Sequence, residues 1–257
     1  MMINRKIVIL AGKGITTNIL YNALNKDFTI DTVILEESIS KKRFLKKRIN
    51  RLGIWKVSGQ VLFQLSIVKL LNFFSAKRIK EILQEFNLEV NPLPAEKIIH
   101  IKSVNDDECI AVLQKINPDV VVVNGTRIIS KEVLDCIPAK FVNIHAGITP
   151  RYRNVHGAYW ALVNNDKDNC GVTVHLVDPG IDTGSIIYQS KISITPDDNF
   201  ITYPLLQIAE GIIYLKKALH DIFEEKLVLK KGTDDSKIWH HPTFRQYLYQ
   251  RLVHHKK

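Results

Sequence analysis

Four short runs rich in β-branched residues constrain what this chain can fold into more than any other feature. They are KIVILAG (6–12), TIDTVILEE (29–37), INPDVVVVNG (116–125) and KFVNIHAG (140–147). Each sets apolar residues at successive positions, whereas a strand with one wet face alternates apolar with polar. Strands of this kind are covered on both sides. TTNILYNAL (16–24) reads as the helix after the first, and another helix precedes the four valines. The pattern predicts an α/β fold: an open, mostly parallel Rossmann-like sheet with helices on both faces. GVTVHLVD (171–178) and IIYQSKISI (186–194) read as later strands, and PLLQIAEGIIYLKKALHDIF (204–223) as a long amphipathic helix. Ligands of such sheets sit beyond the carboxyl ends of the strands, so the loops after Val123 and Ile144 are the expected walls of a site.

The connection after the second strand is longer than a minimal sheet needs. From Ser38 to Phe86 the chain reads as a helical insertion, with no acid between Glu37 and Glu81. Eight Lys and Arg stand between Lys41 and Lys56, and they supply most of a net charge of +10. Charge localised in this way has three readings: a solvated helical face, a surface for a polyanion such as nucleic acid or anionic lipid, or an acceptor-side lid or dimer contact. The apolar stretch from Val57 to Phe74 includes Gln60, Gln64 and Lys69, which suits either burial on the sheet or a membrane interface. No run reaches the roughly 18 apolar residues expected of a membrane span.

MMINRKIVILAG reads as a first strand rather than a signal peptide. The odd set of Cys109, Cys136 and Cys170 has no metal-site spacing and fits a reducing, cytoplasmic setting without disulfides. A chain of 257 residues, 46% apolar and 24% charged, suits a soluble main domain over 1–223, with the insertion at 38–86 and a short extension over 224–257.

Chemistry-bearing residues concentrate in FVNIHAGITPRYRNVHGAYWALVNNDKDNCGVTVHLVDPGIDTGSIIYQ (141–189). Asn143 and His145 lie two apart on a strand and point to the same side. GVTVHLVD then leads into the turn that carries Asp182. An amide donor, an imidazole and a carboxylate gathered there can stabilise a developing oxyanion and move a proton, which suits acyl transfer. Each also has a structural reading. A lone strand histidine is usually satisfied in the interior, and aspartate is a common turn residue.

The order Asn-x-His, Pro-Arg-Tyr-Arg, Gly-Val-Thr-Val-His, Gly-Ile-Asp-Thr-Gly resembles the folate-dependent formyltransferase superfamily, from about Ile98 to Gln189. Its members include glycinamide ribonucleotide, methionyl-tRNA and nucleotide-sugar formyltransferases. The resemblance implies the formyltransferase fold, 10-formyltetrahydrofolate as formyl donor, no metal, and a catalytic trio at Asn143, His145 and Asp182. It implies folate contacts at Val123, Asn124, Gly125, Thr126, Arg127 and Ile128, made largely through the backbone, and at Asp178. By residue type alone, Asn124-Gly125 is equally a good turn.

AGKGITTN (11–18) resembles the phosphate-contacting loop of glycinamide ribonucleotide formyltransferases, which makes Gly12, Lys13 and Gly14 expected acceptor contacts. A plain tight turn is the alternative. Arg151, Tyr152 and Arg153 are further expected acceptor contacts, His175 is expected to support the site, and His156 to be either acceptor-side or structural. The usual superfamily turn reads roughly His-x-Ser-x-Leu-Pro-x-Tyr-x-Gly, so Gly147, Thr149 and Asn154 are departures.

The resemblance of RYRNVHGAYWAL and GVTVHLVDPGIDTG favours an amino sugar linked to a nucleotide diphosphate as acceptor, in surface polysaccharide synthesis. Methionyl-tRNA formyltransferases generally carry a further RNA-binding domain after the catalytic one, whereas a short tail follows Gln189 here. The expected partners are the folate and the amino-sugar nucleotide. A homodimer and a polyanion or membrane-surface contact through 41–56 stay open, and no specific nucleic acid is expected. Two other classes stay open as well: a hydrolase of formylfolate, and a non-enzymatic polyanion-binding protein on a decayed scaffold.

Overall fold

The computed structural model describes residues 5–257; residues 1–4, assigned above to the main domain, lie outside the described residues. The chain opens with β1 (Ile7–Gly12), α1 (Ile15–Leu24) and β2 (Ile30–Glu36). The insertion follows as α2 (Lys41–Leu52), α3 (Ile54–Leu65), α4 (Ile67–Phe74) and α5 (Ala76–Glu85). Next come β3 (Ile98–Ile101), α6 (Asp107–Ile116), β4 (Val120–Asn124), α7 (Lys131–Leu134) and β5 (Lys140–His145). The last part contains β6 (Arg153–Asn154), α8 (Gly157–Val163), β7 (Gly171–Leu176), β8 (Ile186–Lys191), α9 (Tyr203–Phe223), β9 (Ile238–Trp239) and α10 (Phe244–Val253).

Seven strands form one sheet in the order β3-β2-β1-β4-β5-β7-β8, parallel from β3 to β5 and antiparallel from β5 to β8. Strand order reverses between β1 and β4, which opens a crevice at their carboxyl ends. Alternation along each strand explains the unbroken apolar runs. Ile7, Ile9, Val120, Val122 and Val142 pack under α1 and α9. Val8, Leu10, Val121 and Val123 pack on the other face against Leu113 of α6 and Val133 of α7. Neither face of the central strands meets water along the apolar runs, and polar residues enter only at their carboxyl ends, where Asn124, Asn143 and His145 find hydrogen-bond partners.

A third, aromatic cluster lies outside the sheet and joins Phe63 of α3, Tyr159 and Trp160 of α8, Phe200 and Tyr247 of α10. It ties the insertion to the C-terminal segment. Gln60 Nε2 donates to the His241 carbonyl at 2.7 Å, and β9 pairs with β6. Residues 238–247 of the C-terminal segment are therefore built into the wall of the fold rather than hung from it. β3 is absent from the strands read in the sequence, because four residues with His100 among them give too short a signal. The stretch Ile54–Phe74 is long and apolar enough to cross a membrane by length and composition, which corrects the reading that no segment qualifies. Its polar residues are too few to lower the average.

α5 is anchored by a buried ion pair. The Asp198 carboxylate, fully removed from solvent, receives Arg78 Nε at 2.9 Å and Nη2 at 3.3 Å. Removing one partner of such a pair strands the other charge. Arg78→Ala is expected to cost about 3 kcal/mol, measurable as a lowered urea midpoint. An unchanged midpoint would show that the pair does not anchor the insertion.

Candidate functional site

A cleft of about 540 Å³ opens at the carboxyl ends of β4 and β5, and Asn143, His145 and Asp182 all line it. Asn143 sits opposite His175 across the β5–β7 ladder. The Leu176 carbonyl can only accept, so His175 Nδ1 donates to it at 2.7 Å and the ring's Nε2 is left to accept. Asn143 Nδ2 supplies that hydrogen bond at 3.2 Å. Burial lowers the pKa of His175, in keeping with this neutral tautomer. One amide hydrogen of Asn143 is thus fixed, and the amide carries a second.

His145 meets acceptors at both nitrogens. Its Nε2 donates to the Tyr152 carbonyl at 2.7 Å, and its Nδ1 lies 3.3 Å from Asp182 Oδ1. Two acceptors call for two N–H groups, which makes the ring an imidazolium. Burial opposes that charge, but the Asp182 carboxylate and the Tyr152 carbonyl outweigh it and raise the pKa above the ordinary histidine value. Burial likewise works to raise the pKa of Asp182. The His145 charge and the Asn154 amide, which donates to Oδ2 at 2.8 Å, hold it below the usual carboxylate value.

Two of the three departures from the superfamily turn, Gly147 and Asn154, have physical causes in the structure. A Cβ at Gly147 would lie 2.3 Å from the Tyr152 oxygen and 2.9 Å from His145 Nε2, so the glycine is what lets that carbonyl reach the ring. Asn154 has φ +81°, a left-handed conformation that asparagine tolerates better than most residues. It stands where the superfamily usually has glycine.

The loop after β4 walls the cleft with Val123, Asn124, Gly125, Thr126, Arg127 and Ile128. The side chains of Asn124 and Arg127 turn away to hold it. Asn124 Nδ2 donates to Thr17 Oγ1 at 2.9 Å, and Arg127 Nη1 pairs with Glu36 Oε1 at 2.5 Å. Asp178 also lines the cleft, its Oδ1 accepting from Thr183 Oγ1 at 2.7 Å. Gly12 and Lys13 line a neighbouring cavity of about 720 Å³ that shares only Gly125, Thr126 and Arg127 with the first; Gly14 caps α1 just beyond it. A Cβ at Gly12 would come within 2.6 Å of the Gly125 carbonyl, so the two loops touch backbone to backbone.

The side chains of Arg151, Tyr152 and Arg153 are not among those lining the cleft. Arg151 pairs with Asp166 and Asp235, the buried Tyr152 donates its hydroxyl hydrogen to Asp166, and Arg153 Nε donates to the Ile181 carbonyl at 2.7 Å. They pin the turn in place. His156 is half-buried, packs on Phe200 and is bonded to His241 Nδ1 at 2.9 Å. Arg51, from the end of α2, lines the cleft and was not singled out in the sequence; its place in the acid-free basic run was the available signal. Among the described residues no group of three or more His, Cys, Asp or Glu could hold a metal ion.

The switch-point cleft and the Asn–His–Asp cluster give this α/β protein the form of an acyl-transfer fold. Residues 74–204 match the formyl transferase family, and the chain belongs to it. It is 36% identical over 124 residues to a methionyl-tRNA formyltransferase from Finegoldia magna, a match covering 48% of this chain and 37% of that one. The matched part spans less than half the length of such curated relatives. A sugar N-formyltransferase from Shewanella sp FDAARGOS_354 shares the fold at 16% identity and a TM-score of 0.57, over 91% of this chain and 76% of the other. An N-formyltransferase from Helicobacter canadensis, solved with folinic acid and dTDP-3-aminofucose, gives 19% identity and a TM-score of 0.52 over 91% and 70%.

In Asp182→Asn the His145 ring loses the charge that offsets its burial, so its pKa should fall below the ordinary value of about 6.5. NMR titration of the ring protons checks this. A ring still charged above that pH would mean that another group holds the proton. For stability the wild-type His145 term is full below about pH 6.5 and lost as pH rises through the raised pKa.

The sign is opposite for His156 and His241, whose pKa values burial lowers to about 3 and about 4, with His241 acting on the first and Arg48 on the second. The unfolded chain binds their protons below about pH 6.5 and the folded chain does not. The melting temperature should therefore fall between pH 7 and 5, and less steeply in His156→Gln.

Proposed function

We propose that this protein transfers a formyl group from 10-formyltetrahydrofolate to the primary amine of a nucleotide-linked amino sugar, within a catalytic unit over 1–223. The observation that carries the reading is the meeting of Asn143, His145 and Asp182 in one cleft behind the loop of residues 123–129. That cleft fits the donor. Val123, Ile129 and Val177 offer an apolar wall to a flat ring, and the backbone of Gly125 to Ile128 with Asp178 offers groups to its polar edge. When bound, the folate supplies the activated formyl group.

The protein's own part is position and charge. The second amide hydrogen of Asn143 stabilises negative charge developing on the acyl oxygen. Both N–H groups of His145 are engaged, so in this geometry its contribution is its charge, which Asp182 keeps in place. The amine nitrogen bonds to the formyl carbon as the bond from that carbon to the folate nitrogen breaks. The proton that the amine sheds passes by way of Asp182, His145 or an ordered water to that nitrogen, which leaves as tetrahydrofolate, and Asp182 stands at the cleft wall for it. Gly12, Lys13 and Gly14 meet the acceptor's phosphates from the neighbouring cavity. Arg151, Tyr152 and Arg153 shape the acceptor wall by holding the turn.

The Helicobacter canadensis complex, which holds a folate together with a nucleotide-linked amino sugar, supports this acceptor class. A second reading, methionyl-tRNA as acceptor, draws on the 36% identity to the Finegoldia magna protein. Tetrahydrofolate release from 10-formyltetrahydrofolate, assayed with nucleotide-linked 3- and 4-amino sugars, glycinamide ribonucleotide and methionyl-tRNA, separates them. Turnover is expected with one amino sugar, lost in His145→Ala and reduced about a hundredfold in Asn143→Ala. Release without any amine would instead mark a hydrolase, and turnover only with methionyl-tRNA would transfer the assignment to that acceptor.

A further inference from the structure

The insertion packs on one side only. α3 and α4 run almost continuously from Ile54 to Phe74, turned once at Ser66. Val57, Gln60 and Phe63 are buried on the inner face, and Ile67, Val68 and Leu71 extend that contact along the aromatic cluster. The outer face carries Trp55, Leu62, Leu65, Leu70, Phe73 and Phe74, all exposed, Trp55 at 89% and Phe73 at 77%. Intervals of seven and three residues keep Trp55, Leu62 and Leu65 on one stripe of α3, and Leu70, Phe73 and Phe74 continue the exposed apolar surface along α4 beside Lys69. A surface helix of a soluble domain normally turns polar residues outward. This one turns large apolar residues outward as well, with Lys56, Ser58, Lys69 and Asn72 between them.

α2 lies beside it, and none of its described side chains is buried. It adds exposed Phe44, Leu45 and Ile49 to the apolar surface, together with Lys42, Arg43, Lys46 and Lys47. No acid interrupts this surface from Ser38 to Lys80. A second copy of the chain seated here would face like charge with like charge. RNA would be drawn by the lysines but gains nothing from Leu62, Leu65 and Leu70. Anionic lipid answers both features.

We propose that the insertion seats this protein on an anionic membrane surface, with the Trp55–Phe74 stripe in the acyl boundary and the cations of α2 among the headgroups. The helix lies in the membrane plane and does not span it, because its inner face is committed to the protein. Phe63 packs edge-on to Phe200 at 5.0 Å, and Gln60 is bonded to both Arg48 and the His241 carbonyl. Since Arg51 of α2 also lines the cleft, seating brings the cleft mouth to the headgroup layer. The proposal does not depend on the acceptor or on formyl transfer.

Flotation of the full chain with phosphatidylcholine vesicles, with and without phosphatidylglycerol, tests it. Binding to the anionic vesicles is expected to be on the order of tenfold tighter or more and to weaken in high salt. It should also shift tryptophan emission to the blue, a shift absent in Trp55→Ser. The double variant Trp55→Ser/Phe73→Ser changes only exposed side chains; it should keep the wild-type melting temperature and lose vesicle binding. Lys46→Glu/Lys47→Glu should lose the preference for anionic lipid. Failure to float with either vesicle overturns the proposal. So does a solution dimer that the double variant dissolves without any vesicle binding, or oligo-uridine binding in place of vesicle binding.

Discussion

A charged imidazole out of contact with water must be balanced on every side, and much of this structure follows from that requirement at His145. Its two N–H groups need two acceptors, and its charge needs a counter-charge within a few ångströms. Tyr152 supplies one acceptor through its backbone, which requires the turn to fold back tightly over Gly147. Asp182 supplies the other together with the charge. It holds its own position through the Asn154 amide, and both residues occupy left-handed backbone to do so. Asn154 in turn lies in β6, which is paired with β9 from the far end of the chain. A single proton is thus held by segments separated by nearly a hundred residues.

The insertion and the C-terminal segment are partners in the same construction. Phe63 and Gln60 of α3 dock where Phe200, His241 and Tyr247 arrive, and the Arg78–Asp198 pair closes the other end. Neither segment has a core of its own. Each completes the other, and between them they hold His156 and His241 partly out of water and in neutral form. The outward face of the insertion has no counterpart of this kind within the described residues.

The sheet was legible because its central strands carry unbroken apolar runs, Ile7 to Ala11 in β1 and Val120 to Val123 in β4, a pattern that strands covered on both faces produce. The Asn143, His145 and Asp182 cluster was legible because two of its members share a strand face and the third ends the neighbouring hairpin. What local pattern cannot convey is where a side chain turns when a distant segment offers it a partner. Arg151 and Arg153 look like anion binders in sequence, yet Asp166, Asp235 and the Ile181 carbonyl claim them. β9 and the wall formed by 238–247 were illegible for the same reason, since two paired residues leave no periodicity. Arg51 entered the cleft through a helix whose packing no local rule fixes.

The contact between Gly12 and the Gly125 carbonyl has a consequence for how such a protein diversifies. Gly12 has no room for a Cβ against that carbonyl, and Gly125 holds a left-handed φ of +67°, so neither loop can gain a side chain here without moving or straining the backbone. The rigid seam between the two cavities is therefore a fixed boundary. The opposite rim, contributed by Phe44 and Arg51 of α2, is made of exposed side chains on a helix with little burial to lose. Substitution there is cheap. The chain divides its cavities into a wall that inheritance must preserve and a wall that it is free to rewrite.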